Sequence, residues 1–232
     1  MNLAALAAHI VARDTPLLLV DTCAIGDIIR EAHRSTHKGK SIEAARILTD
    51  ASVASALTIV AAQTVLDEWQ RHRPNIGDEL ERAIAGLDQS IARVQNAAGA
   101  AGMSQAFTPI SYTQIAVAAA INNTADLFAA EAQTMDRDDP SWLRAMQRAV
   151  HLKRPSQKGQ TVHDSEIIEH YLGLCSALRG ANFNRPFVFV TANTRDYCDT
   201  AGALHGDLQH DFTAVNLDFV KDLSWARVRL GL

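Results

Sequence analysis

Two short, wholly apolar runs constrain the fold of this chain more than any other feature of its sequence. They span residues 17–20 and 187–190, and neither contains a polar residue. Runs of this length without polar alternation are typical of strands buried on both faces of a parallel sheet. Each run ends abruptly in a polar residue, Asp21 in the first case and Thr191 in the second. Since ligands of open α/β sheets bind beyond the carboxyl ends of the strands, we expect both polar ends to face a functional site.

Further strand and helix patterns lie between and beyond these two runs. Residues 57–60 and 213–217 are the other predicted strands, and Pro74 with Asn75 is predicted to break the helix that begins at Thr64. Strands separated by helices need parallel crossovers, so we predict a three-layer α/β/α sandwich with a parallel central sheet. We expect a single domain over residues 1–232, with a large helical insertion at about 74–160. Besides a short N-terminal helix, the predicted helices span residues 24–32, 41–55, 78–98, 116–133, 142–150 and 161–178.

Composition and charge narrow the class of protein. A chain of 232 residues with 47% hydrophobic and 21% charged residues can bury one full core. The formal net charge of -4 gives no global attraction to nucleic acid or to an anionic membrane, so a polyanion would need a local basic patch or a metal ion. The three cysteines are odd in number and show no CxxC spacing, which favours a reducing cytoplasm. No apolar stretch approaches the length of a membrane span, so we predict no membrane partner.

Four carboxylates, here called the acidic quartet, stand where predicted elements begin or end. Asp21 ends the first strand, Glu68 lies in the first turns of the helix after the second strand, Asp164 opens a later helix, and Asp196 follows the 187–190 strand. Parallel strands would bring all four to one edge of the sheet. Grouped carboxylates repel one another unless a divalent cation neutralises them, and oxygen ligands favour Mg²⁺ or Mn²⁺. Such a site suits metal-assisted hydrolysis of a phosphodiester bond.

The segments around these acids resemble the motifs of PIN-domain ribonucleases. The resemblance implies a parallel sheet flanked by helices, divalent-metal-dependent cleavage of RNA, and the acidic quartet as the catalytic acids. It also implies a supporting role for the hydroxyl of Thr191 at the base of the site. The matching segments are residues 19–23, 65–68, 162–168 and 188–197.

The larger bacterial PIN-like proteins resemble the chain better than the minimal toxin-type members do, because residues 73–160 have no counterpart in the latter. The larger proteins carry a lysine a few residues before the third acid, and Lys158 fits that position. Many members have aspartate where Asn193 stands, so Asp196 is left to supply the fourth carboxylate. His163 and Glu166 flank the third acid, where the toxins more commonly have small residues.

The resemblance and the acidic pattern together predict a role for each residue. Asp21 and Asp164 would be the main ligands of the metal, while Glu68 and Asp196 would complete its shell or orient the attacking water. The residues predicted to support them are Thr191 and Asn193, which would hold ligands in place, and Lys158, which would contact substrate phosphate.

RNA is the predicted substrate, and basic loops are the predicted rim of the site. Phosphate contacts supply most of the non-specific affinity for nucleic acid. Aromatic residues make up only 6% of the chain, so extensive base stacking is not expected, and Trp69 and Trp142 are predicted to lie in the core. The resemblance further implies a toxin or defence nuclease held in check by an inhibitory partner protein, and self-association is a second partner hypothesis. The basic rim comprises Arg30, Arg34, His37, Lys38, Lys40, Arg71, His72, Arg73, Lys153, Arg154 and Lys158.

Three other functions compete with the nuclease hypothesis. A phosphatase of the haloacid-dehalogenase type needs a second aspartate two residues after Asp21, where this chain has Cys23. A phosphohydrolase of the HD type is suggested by the pair His163 and Asp164, but that fold is all-helical and leaves the apolar strands unexplained. A catalytically silent scaffold that binds RNA or protein would have no reason to keep four mutually repelling acids. No GxxxxGK[ST] motif is present, which excludes a P-loop nucleotidase.

Overall fold

A single parallel sheet forms the centre of the molecule. The computed structural model describes residues 1–34, 40–103, 110–156 and 162–232. Within those residues the strands are β1 (Leu17–Val20), β2 (Thr58–Ala62), β3 (Gln133–Met135), β4 (Phe187–Val190) and β5 (Leu217–Val220). All neighbouring strands pair in parallel, in the order β3-β2-β1-β4-β5.

Helices flank the sheet, and the predicted α/β fold with a parallel central sheet is confirmed. The N-terminal helix is confirmed as well, with Leu6 and Ile10 buried on its inner face. None of the helices among the described residues has the length and apolar character that crossing a membrane requires. The helices are α1 (Leu3–Arg13), α2 (Thr22–Arg30), α3 (Lys40–Val53), α4 (Gln63–Ala100), α5 (Val117–Glu131), α6 (Asp139–Val150), α7 (His163–Gly180), α8 (Thr194–Tyr197), α9 (Gly206–Ala214) and α10 (Leu223–Leu230).

The central strand β1 is buried along its whole length, as its apolar run predicts. All four of its side chains are inaccessible to solvent, and its register aligns Val20 with Val190 of β4. Tyr171 of α7 ties the carboxyl ends of β1 and β2 together. Its hydroxyl donates to the carbonyl oxygen of Val20 at 2.6 Å and accepts from the backbone N–H of Ala62 at 3.0 Å. The edge of the sheet at which the polar residues follow is thereby fixed.

The two outer strands differ from the sequence-based expectation. β3 was not predicted, and Gln133 was assigned to the end of a helix, because this edge strand has only three residues and half-exposed polar side chains. The last strand was predicted at 213–217 but spans Leu217–Val220, because α9 continues to Ala214. Asn216 then takes a left-handed conformation, with φ at 51°, before the strand begins. Edge strands are short and partly solvated, so they lack the continuous apolar signal of β1.

The predicted break at Pro74 is wrong, because α4 is one helix of 38 residues with this proline inside it. Proline removes one backbone hydrogen bond and crowds the preceding turn, which costs about 3 kcal/mol in a helix interior. Tertiary contacts on both sides of the proline offset that cost. Arg73 makes a two-bond contact with Asp126 of α5, each bond 2.7 Å long, and Ile76 and Leu80 are buried in the core.

The two tryptophans predicted to lie in the core have different environments. Trp69 of α4 is 5% exposed, which confirms the prediction for that residue. Trp142 is 43% exposed on the first turn of α6, so the prediction for that residue is wrong. Helical spacing shows which apolar residues lie on the same face of a helix. It does not show whether that face packs against the core, and α6 is covered on only part of its surface.

Candidate active site

Asp21 begins the site at the carboxyl end of the central strand. Its backbone N–H extends the sheet by donating to the carbonyl of Val190 at 3.1 Å, and its side chain then caps α2. The Oδ1 atom accepts the backbone N–H of Thr22 at 2.8 Å. The side chain is 2% exposed, so a strand that is apolar throughout delivers one carboxylate to a nearly dry position.

Thr22 links Glu68 to Asp21, because it donates a hydrogen bond to each of them. The Thr22 hydroxyl donates to Oε2 of Glu68 at 2.7 Å, while the Thr22 backbone N–H donates to Asp21. Glu68 lies in the second turn of α4, and its side chain is 34% exposed. Its Oε1 atom lies 3.8 Å from Nε2 of His72, one turn later. Thr22 was not predicted as a site residue. Its position directly after the acid that ends a strand was the one sequence feature that could have indicated it.

Thr191 supports Asp21 from the neighbouring strand β4, in the position that the resemblance implied. Its hydroxyl donates to Oδ2 of Asp21 at 2.5 Å and accepts the backbone N–H of Asn193 at 3.0 Å. Asn193 therefore acts on the site through its main chain, since its side chain makes no capping hydrogen bond to α8. Lys158, the third predicted supporting residue, lies outside the described residues, as do Thr161, His37 and Lys38.

Asp164 and Asp196 complete the acidic quartet. Asp164 lies in the first turn of α7, and Asp196 lies in the single turn of α8 that follows β4. Asp196 is 7% exposed, and its Oδ1 atom lies 3.5 Å from Nε of Arg195. The Arg195 side chain is 71% exposed, so this cation approaches the acids from the solvent side.

Two members of the quartet have raised pKa values, to which other members contribute. Burial raises the pKa of Asp164 to about 7, with further contributions from Asp21, Asp196 and Glu68 and an opposing one from Arg195. Burial also raises the pKa of Asp21 to about 6, with a smaller increase from Glu68, against the lowering effect of the Thr191 hydrogen bond. Each acid of the quartet therefore lies within electrostatic reach of at least one other, at one edge of the sheet. The sequence-predicted grouping is what the fold produces.

Two further side chains line the site and were not predicted as part of it. Burial raises the pKa of the Cys23 thiol above its usual range, and the neighbouring Asp21, Glu68 and Asp164 raise it further, so this thiol stays protonated. Burial together with Asp164 and Asp21 likewise raises the pKa of Tyr197. The Tyr197 hydroxyl is fully buried and bonds to none of the residues that the structure describes. An aromatic residue following an acid carries no functional signal in the sequence, which explains why Tyr197 was missed.

The chemistry of the quartet fits a hard divalent cation, although its side chains are not yet arranged around one. Oxygen donors in a poorly solvated pocket are the ligands that Mg²⁺ and Mn²⁺ prefer. The raised pKa values of Asp21 and Asp164 report repulsion that a cation would relieve. In the described part of the chain, however, no three side chains of His, Cys, Asp or Glu stand in a geometry that could hold a metal ion. Carboxylates that repel one another turn apart, so rotation of these side chains toward a cation would be needed to complete the site.

A basic cavity of about 410 Å³ adjoins the quartet on the side of β4 and β5. Three cations line it, Arg30 and Arg34 near the end of α2 and Lys221 directly after β5. Two acids, Asp27 and Asp222, line it as well, so the cations outnumber the acids by one. None of the three cations forms an ion pair with any described residue. Cys23 belongs both to this cavity and to the surroundings of the quartet, so the two are continuous.

A larger cavity, of about 830 Å³, lies elsewhere, against α1, α6, α7 and α9. Its charged groups already satisfy one another. Arg148 is 6% exposed and bonds to Glu169 at 2.8 Å and to Asp211 at 2.6 Å. This network is structural, since the charges of Arg148, Glu169 and Asp211 pair with one another.

Comparisons of the chain with protein-family models, with curated proteins and with solved structures found no match.

Proposed function

We propose that the protein is a divalent-metal-dependent ribonuclease of the PIN-like kind, acting at the acidic quartet. The observation that supports this proposal is the convergence of four carboxylates at the carboxyl edge of a parallel sheet, two of them with raised pKa values. A fold gains no stability from burying acids that repel one another, so the arrangement calls for a cationic ligand. The free cysteines Cys23, Cys175 and Cys198 are compatible with a cytoplasmic location.

Each residue has a role that follows from its position. Asp21 and Asp164 would hold the Mg²⁺ or Mn²⁺, which when bound supplies an activated water and neutralises charge on the leaving oxygen. Thr191 fixes the Asp21 carboxylate through its 2.5 Å hydrogen bond, and Thr22 does the same for Glu68. The Glu68 side chain is 34% exposed, which suits a group that orients the attacking water.

The basic cavity supports a polyanionic substrate. Arg30, Arg34 and Lys221 line a recess beside the acids and have no ion-pair partner within the described residues. These cations outnumber the two acids of the cavity, Asp27 and Asp222, and would contact a phosphate backbone despite the net charge of -4. The PIN-like resemblance suggests an inhibitory partner protein, and self-association is a separate partner hypothesis.

Cleavage of an end-labelled single-stranded RNA and of a DNA of the same sequence tests the proposal. Wild-type protein is compared with Asp164→Asn in Mn²⁺, in Mg²⁺ and in EDTA, with Asp218→Asn, an exposed acid on β5, as the matched control. We expect RNA to be cut by the wild-type and control proteins with either metal, and not by Asp164→Asn or in EDTA. Absence of cutting by the folded wild-type protein with both metals would refute the ribonuclease function and favour a binding scaffold or a phosphatase.

A further inference from the structure

A second cavity lies on the opposite side of the acidic quartet from the basic cavity. Its volume is about 330 Å³, which is within the range of small-molecule sites. It opens where β3 ends and α6 begins, whereas the basic cavity opens beside β4 and β5. We call it the Trp142 pocket; it is lined by Arg137, Asp138, Asp139, Trp142, His163 and Glu166.

The Trp142 pocket and the quartet share the first turns of two helices. His163 lines the pocket and directly precedes Asp164 at the start of α7. Arg137 lies 3.3 Å, measured from Nη2, from Oδ2 of Asp67, the residue before Glu68 on α4. Because the sheet order is β3-β2-β1-β4-β5, the pocket, the quartet and the basic cavity follow one another along the same edge. A single strand of nucleic acid lying along that edge would meet all three.

Two aromatic rings are exposed in the pocket. Trp142 is 43% exposed, and the side chain of His163 is 47% exposed. A tryptophan is a large apolar surface to leave in water, and its flat face is a platform on which any base can stack. Trp225 is exposed as well, at 59%, so what sets Trp142 apart is that it lines a cavity beside the acidic quartet.

The polar groups of the pocket match the edge of a guanine. Arg137 is held by Glu166, whose Oε1 atom lies 3.1 Å from its Nε, and by Asp67, while Nη1 has no partner among the described residues. The carboxylate of Asp139 is exposed and likewise bonds to no described residue. A guanidinium donates to O6 and N7 of guanine, and a carboxylate accepts from its ring N–H and amino group. Adenine lacks that pair of donors, and cytosine and uracil offer a smaller stacking surface.

We propose that the Trp142 pocket binds a guanine base of the RNA strand that the acidic quartet cleaves. This inference rests on the proposed ribonuclease function for its substrate, but the binding it requires is measurable without cleavage. Stacking on Trp142 supplies affinity, and Arg137 with Asp139 supplies the preference for guanine. The enzyme would then cut at a fixed distance from a guanine.

Tryptophan fluorescence during titration with GMP, AMP, CMP, UMP and inorganic phosphate tests the proposal. We expect GMP to quench the wild-type protein at the lowest concentration, and phosphate alone to leave it unchanged. Trp142→Phe should lose the quenching, whereas Trp225→Phe, which removes another exposed tryptophan on α10, should keep it. Quenching that survives in Trp142→Phe, or equal quenching by phosphate, would overturn the proposal.

Asp139→Asn keeps the stacking platform and tests recognition of the base. Loss of a charge-assisted hydrogen bond should weaken GMP binding about tenfold or more and leave AMP binding unchanged. An equal effect on both nucleotides would contradict guanine recognition. These measurements need no metal and no cleavage. Binding of GMP by a protein that cuts no RNA would therefore refute the ribonuclease function but support guanine binding in the Trp142 pocket. If Trp142→Ala cleaves RNA with the wild-type KM and cutting pattern, guanine binding in the Trp142 pocket is refuted and the ribonuclease function is not.

Discussion

Replacing Asp164 by Asn should stabilise the metal-free protein at pH 8. The pKa of this carboxyl is raised from 3.8 to about 7, first by burial and then by the other three acids of the quartet. The folded protein therefore holds the proton up to a higher pH than the unfolded chain does. It binds more protons than the unfolded chain between about pH 4 and pH 7, so its stability falls as the pH rises through that window.

The magnitude follows from the same two pKa values. They set a ceiling of about 4 kcal/mol on the destabilisation at pH 8, since each pKa unit corresponds to about 1.4 kcal/mol. Asp164 is partly exposed, so solvent screening reduces this value, and we expect a gain in the free energy of unfolding of about 2 kcal/mol for Asp164→Asn. At pH 5 the gain should fall below about 1 kcal/mol, because the folded wild-type carboxyl is then protonated. Asp21 accepts hydrogen bonds from Thr22 and Thr191, whereas the Asp164 side chain accepts none from a described residue, which makes Asp164 the cleaner probe.

Urea unfolding in EDTA at pH 5 and pH 8 measures the effect. Asp218→Asn removes an exposed acid on β5 and serves as the control, for which we expect a change within about 0.5 kcal/mol at both pH values. If Asp164→Asn were no more stable than the wild-type protein at pH 8, the acids would not repel one another in the folded state. The argument for a cation at this edge would then fail.

Three further predictions concern the groups that support the site and the fold. Thr191→Val should lower the free energy of unfolding in urea by about 1–3 kcal/mol, because the buried Asp21 carboxylate loses its hydroxyl donor. Thr191→Ser keeps a hydroxyl and should retain most of the stability. An equal loss in both variants would show that the hydroxyl is not the cause. Tyr171→Phe should lower the free energy of unfolding in urea by a similar amount, because the backbone groups of Val20 and Ala62 lose the tyrosine hydroxyl as their partner. An unchanged urea midpoint would show that water replaces the hydroxyl. Arg148→Ala should cost about 2–4 kcal/mol, because Glu169 keeps only Arg144 as its ion-pair partner and Asp211 loses Arg148. Adding Glu169→Gln should recover part of the loss, and a double variant no more stable than the single one would argue against a charge effect.

The part of the fold that the sequence predicts is the part with a continuous apolar signal. The runs at 17–20 and 187–190 became β1 and β4 with unchanged bounds, because a strand buried on both faces cannot tolerate a polar residue. β3 was not predicted because an edge strand of three residues, two of them half-exposed and polar, forms no pattern. The continuation of α4 through Pro74 was not predicted, because tertiary contacts stabilise this helix and the local sequence does not show them.

The candidate site divides in the same way. The grouping of Asp21, Glu68, Asp164 and Asp196 was predictable, because each lies at an element boundary and a parallel sheet brings such boundaries to one edge. Which side chains surround the acids was not predictable, because that depends on the faces that helices present. The buried hydroxyl of Tyr197 is an example, since neither spacing nor composition distinguishes it from an ordinary core aromatic.

Titration of the protein with Mn²⁺, with free Mn²⁺ measured by electron paramagnetic resonance, tests most directly whether the acidic quartet is a cation site. The account predicts saturable binding at pH 7.5 by the wild-type protein and by Asp218→Asn, and its loss in both Asp21→Asn and Asp164→Asn. The same cation should raise the thermal unfolding temperature of the first two proteins only, because a ligand stabilises the folded state to which it binds. Binding that is equal in all four proteins, or absent from the wild-type protein, would contradict the account.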